Sequence, residues 1–283
     1  MRVVALIENT SATEQLKAEH GLSLYVENGR ECFLIDAGAS DRLITNAQRM
    51  RIDLTRVRKV LITHNHAAHT GGLEALIRLN PSVKVYAKSA CMSDYYAKYG
   101  MIRIPVGLIA DLYEDYPDNF IFYNLFQEIA PGFFAMSNEI PDYTMYSQDN
   151  RYYKDSSGKL IKDNFDHEAF FVIFPDNKHR EKGCVVITGC SHCGIINVLK
   201  TVREAFPDYP IISVIGGFHM MGSSTKKLCC SEEYIDKTVN EIKAIETGVI
   251  YTCHCTGLSG YSFMKPRLGE RIQYLQTGEE LEF

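Results

Sequence analysis

Two stretches of this chain repeat the same alternation of apolar runs and helix-forming segments, and this repetition limits the fold more than any other feature. In the first stretch the pattern predicts strands at 3–8, 22–27, 32–36, 57–63 and 83–87 and helices at 41–50 and 73–79. In the second it predicts strands at 169–174, 184–188, 211–215 and 249–252 and helices at 195–205 and 232–246. Continuous apolar strands need cover on both faces. The sequence therefore predicts the α/β (α+β) class and a four-layer αββα sandwich.

Turn and cap signals support several of these boundaries. Asn28-Gly29 is a strong two-residue hairpin signal between the second and third predicted strands. Ser40 precedes the first predicted helix and has the side chain of a good N-cap. Both signals favour a hairpin followed by a helix in the first half.

The middle of the chain, residues 91–164, departs from the alternation. It is rich in Tyr, Phe, Asp and Asn and keeps no clear period of 2 or 3.6 residues. It is too aromatic to be disordered. One interpretation is a surface excursion with its own small packing cluster. The other is a lid or pocket wall, for which we predict that residues 95–153 cover the functional site.

The composition excludes several classes of protein. A net charge of −5 offers no basic surface for nucleic acid, and no apolar run approaches the ~20 residues that span a bilayer. The first residues, MRVVALIENT, are interpreted as a strand because their apolar run is too short for a signal peptide. The nine cysteines are irregularly spaced, which favours thiols over a disulfide framework. We therefore expect a soluble, cytoplasmic protein that binds a small-molecule substrate.

The strongest chemical signal is the segment Thr63–Gly72, written 63–72 as THNHAAHTGG. His64, His66 and His69 fall within six residues, directly after an apolar run. A strand end fixes the backbone, so the rings at i and i+2 can point at one place, and a turn can bring the ring at i+5 close to them. Neutral imidazole is a good ligand for Zn²⁺, Fe²⁺ or Ni²⁺. These residues are therefore candidate metal ligands.

Three further histidines also follow apolar strands. They are His192 in TGCSHCG, His219 in GGFHM and His254 in TCHCTG. Because sites in α/β sheets gather at the carboxyl ends of strands, we expect these side chains to belong to a metal site. The remaining histidines lack this placement, and we predict that they lie at the surface: His20, His167 and His179.

The histidine segment resembles the metal-binding motif of the metallo-β-lactamase superfamily. The resemblance extends to FLIDAG, TGCSHCGIIN, GGFHM and HCTG, so it spans residues 36–257. Within the superfamily this set is most similar to the branch of dihydropterin-ribofuranosylaminobenzene phosphate synthase-like hydrolases. It implies a single metallo-β-lactamase-like domain over residues 1–283, with residues 91–164 as an insertion or cap.

The resemblance also implies a two-metal site. His64, His66 and His192 would hold the first ion, and His69 and His254 would hold the second. The expected ion is Zn²⁺, one or two per chain, with Mn²⁺, Fe²⁺ or Ni²⁺ as alternatives.

Asp36 and His219 complete the implied catalytic set. Asp36 would support the histidines by hydrogen bonding without touching the metal. His219 stands where many relatives have a bridging carboxylate or a substrate-contacting residue. His219, or His254 if it binds no metal, would protonate the leaving group. Glu168 matches an acidic position of the branch, although an exposed charge at a strand end is an equal alternative.

One residue departs from the family pattern. The motif is H-x-H-x-D-H, and Ala68 occupies the position of the Asp. That Asp normally binds the second metal and orients the attacking water, and a methyl group does neither. Three readings follow: a working one-metal enzyme, a weakened or inactive relative, or a variant made to be inactive.

The residues therefore favour a metal-dependent hydrolase that attacks an ester or phosphoester of a small molecule through a metal-bound hydroxide. One alternative is a non-catalytic metal- or ligand-binding relative, which Ala68 favours. Another is a pterin-linked transferase, which rests on family analogy alone. Redox chemistry is disfavoured because flavin-partnered diiron relatives carry a carboxylate at the position of His66.

Overall fold

The computed structural model describes residues 1–124, 126–138, 142–223 and 225–283. It contains two compact units. Unit 1 comprises Met1–Asn124, Arg151–His167 and Gln276–Phe283, and unit 2 comprises Leu125–Asn150 and Glu168–Leu275. Positions 125 and 139–141 of the Tyr-rich stretch lie outside the described residues.

The strands of the described residues are, in chain order, β1 (Arg2–Ile7), β2 (Ser23–Asn28), β3 (Glu31–Ile35), β4 (Lys59–Leu61), β5 (Lys84–Lys88), β6 (Tyr95–Tyr99), β7 (Ile102–Pro105), β8 (Phe120–Tyr123), β9 (Gln127–Ala130), β10 (Phe133–Met136), β11 (Tyr152–Ser156), β12 (Lys159–Lys162), β13 (Phe170–Ile173), β14 (Cys184–Thr188), β15 (Ile211–Gly216), β16 (Val249–Thr252), β17 (Ile272–Tyr274) and β18 (Glu280–Glu282). The α-helices are α1 (Arg42–Arg49), α2 (Ala67–Thr70), α3 (Leu73–Leu79), α4 (Ile109–Asp115), α5 (Ile195–Ala205), α6 (Glu232–Ile245) and α7 (Gly257–Leu268).

The elements predicted from the alternation are present in both units, most of them within one residue at each end. The exception is the strand predicted at 57–63, which shortens to β4. The predicted N-cap is wrong by one residue: Asp41 precedes α1, without a side-chain cap. The Ser40 hydroxyl donates to Glu19 at 2.6 Å, and its oxygen accepts the Arg42 amide at 3.3 Å. Ser40 therefore joins a long-range contact to a local one at the start of α1.

Unit 1 contains two sheets. The larger has the order β18-β1-β2-β3-β4-β5-β8, in which β3, β4, β5 and β8 run parallel. The hairpin between β2 and β3 turns at Gly29, whose φ of 62° suits glycine. The smaller sheet, β12-β11-β6-β7, is antiparallel and built from the Tyr-rich stretch.

Unit 2 contains one sheet of the order β17-β16-β15-β14-β13-β10-β9. The strands β14, β15, β16 and β17 run parallel, and β13, β10 and β9 continue the sheet antiparallel. Parallel strands place their carboxyl ends at one edge, so the loops after β14, β15 and β16 emerge together.

Each unit has its own hydrophobic core. In unit 1, Leu34 and Val60 of the sheet pack with Leu76 of α3. In unit 2, α5 buries Ile195, Val198, Leu199 and Val202, a spacing that puts all four on one face of the helix. Each such side chain contributes about 1.5–3 kcal/mol to folding through burial. Because these cores hold the strands, the loops at the strand ends start from fixed positions.

Two global features complete the fold. Within the part of the chain that the structure describes, no helix has the length and apolar character needed to cross a membrane. The cysteines of the described residues are all outside disulfide bonds.

Candidate metal-binding site

Three histidines converge just beyond the end of β4 in unit 1. The ring centroid of His64 lies 4.6 Å from that of His66 and 4.1 Å from that of His69. All three side chains are buried. His66 immediately precedes α2, and this short helix turns the chain so that His69 returns to the pair. Three clustered imidazoles provide the number and type of donors that a zinc-type ion needs from a protein.

The Asp36 carboxylate ties the neighbouring strand end to these histidines. Its Oδ1 accepts the Thr63 amide at 2.8 Å, and its Oδ2 accepts the Thr63 hydroxyl at 2.7 Å. Oδ2 also lies 2.6 Å from Nδ1 of His69. Because an ionised carboxylate can only accept, Nδ1 of His69 carries the proton and Nε2 keeps the lone pair that a metal would use. The structure thus places Asp36 as a support for His69.

Asn65, between His64 and His66, is bonded on every side. Its backbone amide donates to Nδ1 of His167 at 3.0 Å. Its side-chain Oδ1 accepts the amides of Leu108 at 2.9 Å and Ile109 at 3.2 Å. A Cβ on Gly107 would lie 2.7 Å from the Asn65 amide nitrogen Nδ2, so a glycine is needed at that approach. The backbone between the two candidate ligands is therefore held tightly.

The prediction that His167 lies at the surface is wrong. The residue is fully buried, and its ring centroid lies 4.0 Å from that of Tyr95. Its Nε2 is 3.2 Å from Oδ2 of Asp163. Burial of a polar ring is tolerated here because both nitrogens have hydrogen-bond partners. His20 is half-buried, and His179 is exposed.

Part of the Tyr-rich stretch lies against the histidines of unit 1. The Tyr152 ring stacks on that of His66, with centroids 4.6 Å apart and an interplanar angle of 20°. The Ala67 amide donates to the carbonyl of Val106 at 2.7 Å. These contacts favour the pocket-wall alternative for this part of the stretch.

In unit 2 the candidate residues follow three adjacent parallel strands. His192 comes after β14, His219 after β15 and His254 after β16. The ring centroids of His192 and His219 are 4.1 Å apart. Cys190 joins this group, since the ligating atoms of Cys190, His192 and His219 all lie within 4.8 Å of one another. The same holds for Cys190, His254 and Cys255.

Glu168 orients the loop that carries His192. Its Oε1 accepts the His192 amide at 2.7 Å, and its Oε2 accepts the Cys193 amide at 2.8 Å. The side chain is 5% exposed, which decides between the two alternatives: it is a buried support and not a solvated charge. Ser191, just before His192, has a φ of 53°, and its hydroxyl donates to the carbonyl of Gly217 at 2.8 Å.

His219 and Cys255 form an interacting pair in unit 2. The His219 amide donates to Sγ of Cys255 at 3.2 Å, and Nε2 of His219 lies 3.2 Å from Oδ2 of Asp149. Burial lowers the pKa of the His219 imidazole, but the hydrogen bonds to Asp149 and Cys255 and their charges raise it to about 9. Burial raises the pKa of the Cys255 thiol, but its hydrogen bonds with Cys190 and His219 and the His219 charge lower it to about 5. This unit therefore favours a thiolate beside its histidines.

Ala68 lies in α2 and is half-buried. Its carbonyl accepts the Leu22 amide at 3.1 Å, which joins this turn of the chain to the segment before β2. A methyl side chain contributes no donor to the histidine cluster.

The donor sets fit a divalent transition metal, since imidazole and thiolate suit zinc-type ions. The structure brings together His64, His66, His69 and Asp36 in unit 1. It brings His192 and His219 together in unit 2, and places His254 with two thiols. The assignment of His192 to the same ion as His64 and His66 stays a prediction.

Sequence reasoning missed five residues of these clusters. The two cysteines lie in local CSHC and CHC patterns, but such short patterns do not distinguish a metal ligand from a buried apolar thiol. The other three carry no recognisable motif. Asp149 meets His219 across 70 residues and His167 meets Asn65 across 102, and the burial that brings Asp163 against His167 depends on the fold. The missed residues are Cys190, Cys255, Asp149, Asp163 and His167.

Comparison with known proteins gives the same family. The model of the metallo-β-lactamase superfamily matches residues 16–134. The chain is 24% identical over 279 residues to the 7,8-dihydropterin-6-methyl-4-(β-D-ribofuranosyl)-aminobenzene-5'-phosphate synthase of Methanocaldococcus jannaschii, which covers 94% of this chain and 90% of that protein.

Solved structures of similar proteins have the same fold. A metal-dependent hydrolase of the β-lactamase superfamily superimposes with a TM-score of 0.82 and 28% identity, over 100% of this chain and 99% of that one. Zn²⁺-bound PqqB from Methylobacterium extorquens shares the fold, with a TM-score of 0.58 at 14% identity and full coverage of both chains. The predicted mixed α/β fold is confirmed, and the chain has the fold of the metallo-β-lactamase superfamily and is similar to a metal-dependent hydrolase of that superfamily.

Proposed function

We propose that the protein uses a bound divalent ion, Zn²⁺ in the first instance, to hydrolyse an ester or phosphoester of a small molecule. The observation that carries this proposal is the convergence of His64, His66 and His69 after a parallel strand, with Asp36 holding the ring of His69. Three buried imidazoles in contact are costly to assemble unless they share a task. Metal binding is the task that their chemistry suits.

The remaining roles follow from the contacts of each side chain. A divalent ion would supply an activated water and polarise the oxygen of the scissile bond. Asp36 would fix the tautomer of His69, and Glu168 would hold the backbone of His192. His219, held by the Asp149 carboxylate, would protonate the leaving group.

A phosphate ester attached to a ring system is the first substrate class to test. The similar protein of Methanocaldococcus jannaschii is named for a dihydropterin linked to a ribofuranosyl-aminobenzene 5'-phosphate. Tyr152, stacked on His66, offers an aromatic surface beside the proposed ligands. Flat ring systems bind well on such surfaces.

A second candidate function is metal or ligand binding without catalysis. Ala68 favours it, because the motif has lost a carboxylate that would offset the charge of a second ion. The thiols beside the unit 2 histidines favour retention of metal under either function.

Metal content and turnover test the proposal together. We expect the wild-type chain, after incubation with Zn²⁺ and removal of excess, to retain one or two ions and to hydrolyse members of an aryl phosphate, phosphodiester and carboxylic ester panel. The double variant His64→Ala/His66→Ala should lose the tightly bound ion and the activity.

His179→Ala is the matched control, because His179 is an exposed histidine of unit 2. Its metal content should equal that of the wild type. A wild-type chain that retains no metal would overturn the hydrolase function and the metal-binding form of the second function, and would leave only ligand binding without metal. A chain that binds metal but cleaves nothing on the panel would favour the binding function.

A further inference from the structure

A buried imidazole–carboxylate pair lies behind the His64–Asn65–His66 segment of unit 1. His167 is fully buried and Asp163 is 5% exposed. Nδ1 of His167 accepts the Asn65 amide at 3.0 Å, and Nε2 lies 3.2 Å from Oδ2 of Asp163. The ring centroid of His167 is 5.5 Å from that of His66. The pair therefore contacts the backbone between two proposed ligands and lies beside one of their rings.

The hydrogen bonds determine the tautomer of His167. A backbone amide can only donate, so Nδ1 must be the unprotonated nitrogen of the neutral ring. The proton then lies on Nε2, where the Asp163 carboxylate can accept it. Asp163 is itself held, because its Oδ1 accepts the Phe165 amide at 2.8 Å. The chain of bonds runs from Asp163 through His167 to Asn65.

We propose that Asp163 and His167 are a positioning pair that holds the His64–Asn65–His66 backbone in its metal-binding conformation, an inference that rests on the proposed function. Nδ1 of His167 holds the backbone amide of Asn65. The side-chain oxygen of Asn65 in turn accepts the amides of Leu108 and Ile109 and so holds that loop. With Asn65 held on both sides, the two neighbouring imidazoles need little reorganisation to bind an ion. Preorganised ligands bind metal more tightly, and loss of a supporting partner typically costs about 10–100-fold in affinity.

Direct ligation by the pair is the competing arrangement. The ligating atoms of His66, Asp163 and His167 lie within 4.8 Å of one another, so they satisfy the distance requirement of a metal site. Ligation by His167 would need a lone pair on one of its nitrogens. Nδ1 uses its lone pair on the Asn65 amide, and Nε2 carries the proton that Asp163 accepts. The geometry therefore favours positioning.

Two substitutions of His167 separate the functions of its two nitrogens. His167→Phe keeps a ring against Tyr95 but removes the acceptor for the Asn65 amide. His167→Asn keeps an acceptor close to the position of Nδ1 and removes Nε2. His179→Phe is the matched control, since His179 is exposed and also lies next to a carboxylate, with Nδ1 3.1 Å from Glu181.

The main readout is the Zn²⁺ dissociation constant from chelator competition, with the metal stoichiometry and the melting temperature of the metal-free protein. We expect His167→Phe to weaken Zn²⁺ binding about 10–100-fold at unchanged stoichiometry, and His167→Asn to recover most of that loss. His179→Phe should bind like the wild type. The visible spectrum of the Co²⁺-loaded protein should change in His167→Phe and return toward the wild type in His167→Asn.

Three results would overturn the inference. An equal loss of one metal equivalent in both His167 variants would make His167 a ligand. A lower melting temperature with unchanged Zn²⁺ affinity would make the pair purely structural. If His167→Phe does not fold, nitrogen NMR of the wild-type ring decides, because a proton on Nδ1 would contradict the proposed bond. Should the wild type itself bind no Zn²⁺, the proposed function fails and not merely this inference.

Discussion

The histidine clusters of the two units are held by different means. In unit 1, His66 has an ordinary extended backbone with φ −115°, and the left-handed residue is the supporting Asp36, with φ 58°. The Asp36 carboxylate holds Thr63 and His69 by hydrogen bonds. In unit 2, Ser191, His219 and His254 have left-handed φ values of 53°, 44° and 49°. Such conformations cost non-glycine residues about 1–3 kcal/mol each and persist where surrounding contacts impose them.

The two clusters are therefore vulnerable to different substitutions. Unit 1 depends on a few buried carboxylate and imidazole hydrogen bonds, so single polar substitutions should disrupt it strongly. Unit 2 spreads its support over backbone conformation, Glu168 and thiols. We expect individual changes there to have smaller effects.

The largest effect is expected for Asp36→Ala. It leaves the Thr63 amide and Nδ1 of His69 buried without their acceptor, at about 1–3 kcal/mol for each group. We expect a loss of about 3 kcal/mol in unfolding free energy from denaturant titration, together with loss of tight Zn²⁺ binding. Asp53→Ala is a control, because that carboxylate makes comparable bonds to Thr55 in an exposed position. A variant as stable as the control would contradict the dependence of unit 1 on its buried hydrogen bonds.

Glu168→Gln should have an intermediate effect. The amide oxygen of Gln can accept one of the two amides of His192 and Cys193, while its NH₂ faces the other. We expect a loss of about 1–3 kcal/mol in the free energy of unfolding. A loss larger than that of Asp36→Ala would reverse the ranking of the two regions.

Cys190→Ser tests the thiols of unit 2 by spectroscopy. With Co²⁺ bound, the wild-type protein should show a near-ultraviolet thiolate-to-metal charge-transfer band, and the variant should lose part of it, because Cys255 remains as a sulfur donor. Metal affinity should fall about tenfold, or 1.4 kcal/mol. Cys193→Ser, in the same loop, is the matched control and should keep the band. Equal spectra for all three proteins would remove Cys190 from the donor set.

The smallest effect is expected for Ala68→Asp. A carboxylate at this half-buried position adds negative charge beside His69 and should hold a second ion about fivefold more tightly, or 1 kcal/mol. Metal stoichiometry should move toward two, and turnover on phosphodiesters or esters should rise. Ala67→Asp, one residue earlier, controls for charge alone. A variant with no additional metal and no faster turnover would favour the binding function.

Local pattern determined much of the scaffold in advance. The strand Cys184–Thr188 and the helices Leu73–Leu79 and Ile195–Ala205 are at their predicted positions, because apolar periodicity and chain-breaking residues act within a few residues. The convergence of His64 and His66 also depends on local sequence, since both residues follow the same strand and lie two positions apart.

Tertiary structure alone decided which side chains support those histidines. His167 bonds to Asn65 across 102 residues, and His219 bonds to Asp149 across 70. The periodicity of apolar residues along the chain does not reveal such distant partners. The sequence alone therefore predicts a surface position for His167. A polar ring is stable away from water only when its hydrogen bonds to water are replaced. For His167 the fold supplies an amide for one ring nitrogen and a carboxylate for the other.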